Sequence, residues 1–241
     1  MPVASAAAPA NALRERWVAR LKLRMRRYFV IKALGVTAFV WLFFIAYFHL
    51  LRHPAREVFE VPVLAMDRWI PFEPLALPVY LSLWFYVSIG PGLMRNLTTL
   101  IVYGLWSLLL CLIGLAIFYT WPTAVPPPPP EVVTHPSMQL LQGLDARGNA
   151  WPSMHVASAV FASIQIEAIF RHIGAPGVLR VINLLWVLAI AWSTVAIRQH
   201  VVLDGLAGAA LGAAVGWCAV RWPGSGRPDP ISLRRLLRWL R

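Results

Sequence analysis

Charge is scarce in this sequence: charged side chains make up 13% of its 241 residues, and Asp and Glu together number only 10. Soluble domains carry about 25% charged residues, so little of the chain can form a water-exposed domain. Cysteine is nearly absent too. Cys111 and Cys218 both lie in apolar stretches, where a thiol behaves as a small hydrophobe, and their spacing fits neither a disulfide framework nor a metal site. No carboxylates cluster in a way that could hold Mg²⁺, and no cofactor is expected. No internal repeat is visible, and the interrupted helix pairs of an inverted-repeat transporter are missing.

Apolar length, by contrast, is abundant, with 59% of residues hydrophobic. They gather in six blocks: Val30–Leu51, Leu75–Met94, Leu97–Trp121, Ser153–Phe170, Val178–Ile197 and Val201–Val220. A hydrocarbon core of roughly 30 Å is crossed by about 20 helical residues, and it leaves the backbone no water to bond. The expected fold is therefore all-α, a polytopic bundle of six transmembrane helices. The first block far exceeds the roughly 7–15 apolar residues of a cleaved leader, so it is read as a permanent span.

A net charge of +12 would suggest a nucleic-acid partner in a soluble protein, but here the cations flank apolar blocks and are read as topology signals. Arg14, Arg16, Arg20, Lys22, Arg24, Arg26, Arg27 and Lys32 precede or open the first block, and Arg221, Arg227, Arg234, Arg235, Arg238 and Arg241 follow the last. Both termini are expected in the cytoplasm, with Arg95, Arg171 and Arg180 in inner loops. The chain divides into a basic amphipathic segment 1–29, a membrane domain 30–220 with an outer proline-rich loop and cap at 122–150, and a basic tail 221–241. The segment 1–29 is either an interfacial helix on anionic headgroups or a topology anchor. The prolines from Pro126 to Pro130 predict an extended strut. Gly208, Gly212 and Gly216 predict a close seam inside the bundle.

Two short patterns carry chemistry. In Asn149-Ala150-Trp151-Pro152-Ser153-Met154-His155, a proline-led turn opens the fourth block, where Ser153 can cap the helix or donate to an anion. In the second, Ser193-Thr194-Val195-Ala196-Ile197-Arg198-Gln199-His200, Asp204 follows His200 by four residues. On a helix these two share a face, so the carboxylate fixes one imidazole nitrogen and leaves the other for attack. Counting spans places His155 and His200 at the same membrane face. His49, His53, His135 and His172 are read as interfacial side chains. Glu167 lies about 18 Å along its helix from His155 and is expected to pair with Arg171.

Together these residues resemble the type 2 phosphatidic acid phosphatase (PAP2) superfamily, in particular the branch of inositol phosphorylceramide synthases and sphingomyelin synthase-like proteins. Pro152-Ser153-Met154-His155 matches the family's Pro-Ser-x-His motif, and Ser193, His200 and Asp204 match its third motif. The likeness extends from Asp67-Arg68-Trp69-Ile70-Pro71-Phe72 through Trp121-Pro122-Thr123 to the last helix. It implies that His200 is a nucleophile forming a phosphohistidine, that Asp204 orients it, and that His155 is the general acid and base. The family's first motif, Lys-x6-Arg-Pro, is absent, and Thr194 stands where arginine is usual. Arg198 is the natural replacement phosphate cation, with Arg147 and Arg68 behind it, and Ser153, Ser193 and Asn149 complete the expected phosphate site.

The resemblance implies a lipid phosphotransferase or phosphatase acting on a phospholipid or lipid (pyro)phosphate in the bilayer. The missing first motif favours headgroup transfer to an alcohol acceptor; hydrolysis of phosphatidic acid or an isoprenoid diphosphate is the alternative, and a non-catalytic scaffold the contrasting reading. Short loops and a compact chain point to a bacterial inner membrane with the site on its outer side.

Overall fold

The computed structural model describes residues 10–136 and 148–222. Most of the expected outer cap, including Arg147, and the basic tail from 223 onward lie outside the described residues. The chain forms α1 (Ala10–Arg26), α2 (Phe29–Arg52), β1 (Phe59–Glu60), α3 (Ala65–Trp69), a 3₁₀ turn Pro74–Ala76, α4 (Leu77–Leu81), α5 (Leu83–Gly92) and α6 (Leu97–Thr120). After these come β2 (Thr123–Ala124), α7 (Pro130–Val133), α8 (Met154–Ile173), α9 (Gly177–Ala196) and α10 (Val202–Arg221). Six segments are long and apolar enough to cross a membrane: Phe29–Arg52, Pro74–Gly92, Leu97–Thr120, Met154–Ile173, Gly177–Ala196 and Val202–Arg221. The protein is thus an all-α polytopic membrane protein, as the apolar blocks imply.

Burial ranks the spans. Within the protein, 56% of the apolar window of α8 is buried, against 6% for α2, so α8 is the axis of the bundle and α2 a peripheral helix exposed to lipid. The glycine spacing of α10 explains how tightly it meets α8. A Cβ on Gly208 would meet the backbone of Ser153 and Ala157, one on Gly212 the backbone of Ala157, and one on Gly216 the Ile164 side chain and Phe161. Small residues let two backbones approach where lipid offers no hydrophobic drive to hold helices together. A buried polar bridge joins three spans lower down. Tyr86 Oη donates to Asn183 Oδ1 (2.7 Å), and Asn183 Nδ2 donates to the carbonyl and hydroxyl oxygens of Ser163 (3.0 and 3.1 Å).

The second span is less regular than its apolar block suggests. A 3₁₀ turn, α4 and α5 succeed one another, with Pro74 opening the turn and Pro78 at the start of α4, where each proline removes a donor and fixes its own φ; the break between α4 and α5 falls at Ser82. The proline strut is also shorter than expected: Pro130 opens α7, a position where its missing N–H costs nothing.

At the end carrying the N-terminal helix, cations meet helix C-termini. Arg24 Nη1 donates to Leu93 O (3.0 Å), Lys32 Nζ to Gly92 O (2.8 Å) and Arg24 O (2.6 Å), and Arg20 Nη1 to Ile173 O (3.4 Å). These carbonyls lie at the negative C-terminal ends of α1, α5 and α8, so the basic residues that signal topology also fasten α1 to the bundle. Burial, followed by the charges of Arg95 and Arg20, lowers the pKa of Arg24. Glu167 receives both Arg171 (2.6 Å) and Arg180 (2.7 Å) at the same end. The second partner comes from α9 and was not foreseen.

The seam makes a direct expectation. Gly212→Ala should destabilise the fold by about 1–3 kcal/mol through overpacking against backbone, seen as a lower melting temperature in detergent. Gly104→Ala, whose Cβ would have nothing within 4 Å, should leave it unchanged.

Candidate active site

His200 sits in the turn between α9 and α10. The amides of Gln199 and His200 both donate to Thr194 O at 3.0 Å, and Arg198 takes a left-handed conformation at φ 61°. The Arg198 side chain spans the turn, donating from Nη2 to Ile70 O (2.8 Å) and from Nη1 to Asp67 O (3.2 Å). Asp67 is 2% exposed and accepts from two backbone amides, Leu64 through Oδ2 and Val202 through Oδ1, each at 2.7 Å. The first bond closes the start of α3 and the second caps α10 from outside its own sequence. The segment around α3 is thereby latched onto the turn that presents His200.

His155 lies one residue into α8. Its helix begins after a cis Trp151–Pro152 bond, with Ser153 as N-cap accepting from Val156 N at 3.3 Å. The Ser153 amide donates to Asp204 O at 3.0 Å, which fixes the first turn of α8 against the first turn of α10. Across this junction His200 Nδ1 lies 3.1 Å from Asp204 Oδ2, and His200 Nε2 lies 3.3 Å from His155 Nδ1. His155 Nε2 is in turn 2.7 Å from Tyr80 Oη. Asp204 is fully buried, and its Oδ1 has no hydrogen-bond partner among the described residues.

The direction of the chain follows from its carboxylate end. An ionised Asp204 can only accept, so His200 Nδ1 carries the proton and Nε2 the lone pair. His155 must then donate from Nδ1, and its Nε2, in the neutral ring, accepts from the Tyr80 hydroxyl. Such an arrangement offers a lone pair on one imidazole and an N–H on the other, the two groups that in-line displacement at phosphorus needs.

Of the residues singled out in sequence, the fold brings together His155, His200 and Asp204. Asn149 is close by at φ 53°, buried, with its Nδ2 donating to Tyr47 O at 3.0 Å. Ser193 directs its hydroxyl to Ile190 O at 2.7 Å inside its own helix, and Ser153 serves as a helix cap. Arg198 is engaged with the two carbonyls of the latch, and Arg68 is exposed. Tyr80 and Asp67 carry no motif. Tyr80 was one tyrosine in an apolar block and Asp67 looked like one more outer-loop charge, so only their spatial neighbours mark them out.

A cavity of about 990 Å³ opens beside these groups, between α2, α5 and α6. Tyr80, Asn149, His155 and His200 line one end and Lys32 reaches the other, with aromatic and aliphatic side chains such as Phe44 and Trp84 between them. The walls include no carboxylate among the described residues. Measured along α2, Lys32 to Arg52 is about 30 Å, the thickness of the hydrocarbon core. No group of three or more His, Cys, Asp or Glu able to hold a metal occurs among the described residues.

Comparison with protein families matches residues 97–227 to the PAP2 superfamily, more than half of the chain and including both histidine patterns. No curated protein and no solved structure matches it.

The latch can be tested apart from chemistry. Asp67→Ala removes the partner of two partly buried amides, and each lost cap costs about 1 kcal/mol. Its melting temperature should fall measurably below that of the unaltered protein. A melting temperature equal to wild type would show that the latch does not hold the turn.

Proposed function

Because this chain belongs to the PAP2 superfamily, a family of membrane enzymes acting on lipid phosphate groups, we propose that it is a lipid phosphotransferase working through a phosphohistidine, with headgroup transfer to an alcohol as its reaction. The observation that carries this reading is the Asp204–His200–His155 chain at the mouth of an apolar cavity. A lipid tail lies along the α2 side of the cavity and its phosphate enters between the two imidazoles, replacing their mutual hydrogen bond.

In the first half-reaction His200 Nε2 attacks phosphorus and an N–P bond forms. The bond from phosphorus to the departing alcohol oxygen breaks, and that oxygen takes the Nδ1 proton of His155, which enters the step as the imidazolium and leaves it neutral. Asp204 holds the Nδ1 proton of His200 and stabilises the positive charge that the ring acquires. In the second half-reaction His155 takes the proton of an acceptor hydroxyl, whose oxygen attacks phosphorus as the N–P bond breaks. Water as acceptor gives hydrolysis, and an alcohol gives transfer. The absent first motif and the apolar walls around the histidines support transfer, since both reduce the polar surface on which water would be organised. Asn149, Ser153, Ser193 and Arg198 remain the proposed phosphate neighbours; Asn149 lines the cavity, while the other three would have to exchange their present backbone partners for phosphate. The site faces the outer side of a bacterial inner membrane in this reading, with both termini in the cytoplasm.

His200→Ala should abolish phosphoenzyme formation and turnover of lipid phosphates in mixed micelles, and His155→Ala should slow turnover by about 10²–10⁴-fold. Mass spectrometry of the lipids formed with and without an added alcohol, beside a free-phosphate assay, separates the two acceptors. Free phosphate with no new lipid would overturn transfer, and undiminished turnover by the His200 variant would overturn the catalytic assignment.

A further inference from the structure

The hydrogen bond from Tyr80 to His155 is required by no motif, yet it is the shortest in the chain of side chains that runs to Asp204. Tyr80 is 3% exposed, and it packs in one cluster with Ala196 and Ile197, at the turn that presents His200. Its ring lies 4.8 Å from that of His155, tilted by 30°. The hydroxyl is thus held by a buried ring on α4, and its position is tied to the same turn that positions the nucleophile.

A phenol can both donate and accept, and both capacities matter here. With His155 neutral, the Tyr80 O–H donates to Nε2 and leaves the proton of His155 on Nδ1. With His155 protonated, Nε2–H donates to Tyr80 Oη. In either state of the resting enzyme Nε2 meets Tyr80 and the nitrogen that faces His200 bears a proton, which the imidazolium alone can give up; once it has done so, the neutral ring keeps its proton on Nε2.

We propose that Tyr80 is a positioning residue that reserves the Nδ1 proton of His155 for the leaving alcohol. The proposal rests on the reading of His155 as general acid. In the first half-reaction the imidazolium of His155 keeps its Nε2 proton on Tyr80 Oη and gives its Nδ1 proton to the departing oxygen as the P–O bond breaks. His155 is left neutral, with its lone pair on Nδ1. That lone pair then takes the acceptor's proton and restores the imidazolium, while Tyr80 ends each cycle unchanged. Phenylalanine at this position keeps the ring and its packing but removes the hydroxyl that lies 2.7 Å from His155 Nε2.

The test compares two probes in mixed micelles: a long-chain alkyl phosphate, whose alkoxide must be protonated to leave, and a long-chain nitrophenyl phosphate, whose phenolate leaves without a proton. Tyr80→Phe should lower kcat on the alkyl probe about tenfold or more and leave the nitrophenyl probe within about twofold. An equal loss on both probes would indicate a merely structural role and overturn the proposal, as would an unchanged rate on the alkyl probe. His200→Ala should lose both probes; if it does not, the phosphohistidine reading fails and not the tyrosine's role alone. A measurement that needs no turnover stands beside these. Side-chain ¹⁵N shifts of the unaltered protein, with His155 assigned by difference from His155→Ala, should show neutral His155 protonated at Nδ1, and protonation at Nε2 would overturn the chain from which the role is drawn.

Discussion

The backbone-to-backbone seam between α8 and α10 is the constraint on which the rest of the molecule depends. Gly208 and Gly212 leave room for the carbonyls of Ser153 and Ala157, and the Ser153 amide reaches Asp204 O. A side chain at either glycine would push the two helix starts apart, and the 3.3 Å contact between His155 and His200 would open. Most of the deeply buried residues of the spans lie on α8 and the helices against it, while α2 is left largely to the lipid. Stability and chemistry therefore draw on the same few contacts.

Around that seam, polar groups are distributed by depth. Among the described residues, charged groups at the two ends of the bundle find partners: at one end cations meet helix C-termini and Glu167 meets Arg171 and Arg180, and at the other the Asp67–Arg198 latch meets amides and carbonyls. Between them the interior has hydrogen-bonded neutral bridges such as Tyr86–Asn183–Ser163. Unpaired charge is costly in hydrocarbon, and this arrangement avoids it while leaving an apolar cavity whose walls include the two imidazoles. Asp204 is the exception, fully buried with one oxygen unpartnered among the described residues. A carboxylate so placed interacts strongly with the single imidazole beside it, because little else competes for its charge.

Much of this was legible in the sequence. Six apolar blocks of bilayer length set the six spans to within a few residues, because the bilayer imposes length and internal hydrogen bonding on any segment that crosses it. The span count put His155 at the level of His200 and Asp204, but those two do not share a helix face as their four-residue spacing suggested: His200 lies in the turn before α10 and Asp204 in its first turn. The glycine spacing of α10 announced a close seam by the absence of side chains alone. The reading was coarser near prolines: Pro74 and Pro78 begin the second span as a 3₁₀ turn followed by a short helix, and the strut ends at Pro129 because Pro130 opens α7.

What the sequence could not decide is which polar side chains would meet. Arg198 stood where a phosphate cation was needed, but in the fold its guanidinium bridges the carbonyls of Asp67 and Ile70, more than 100 residues away along the chain. Tyr80 looked like one more aromatic in an apolar run, and Asp67 like one more outer charge. Periodicity reports which face of a helix a residue occupies and how deep it lies, because those depend on neighbours three or four residues away. The partner of a hydroxyl or a carboxylate depends on how separate helices rotate and slide against one another, and that is settled only when the glycine seam and the outer latch close together.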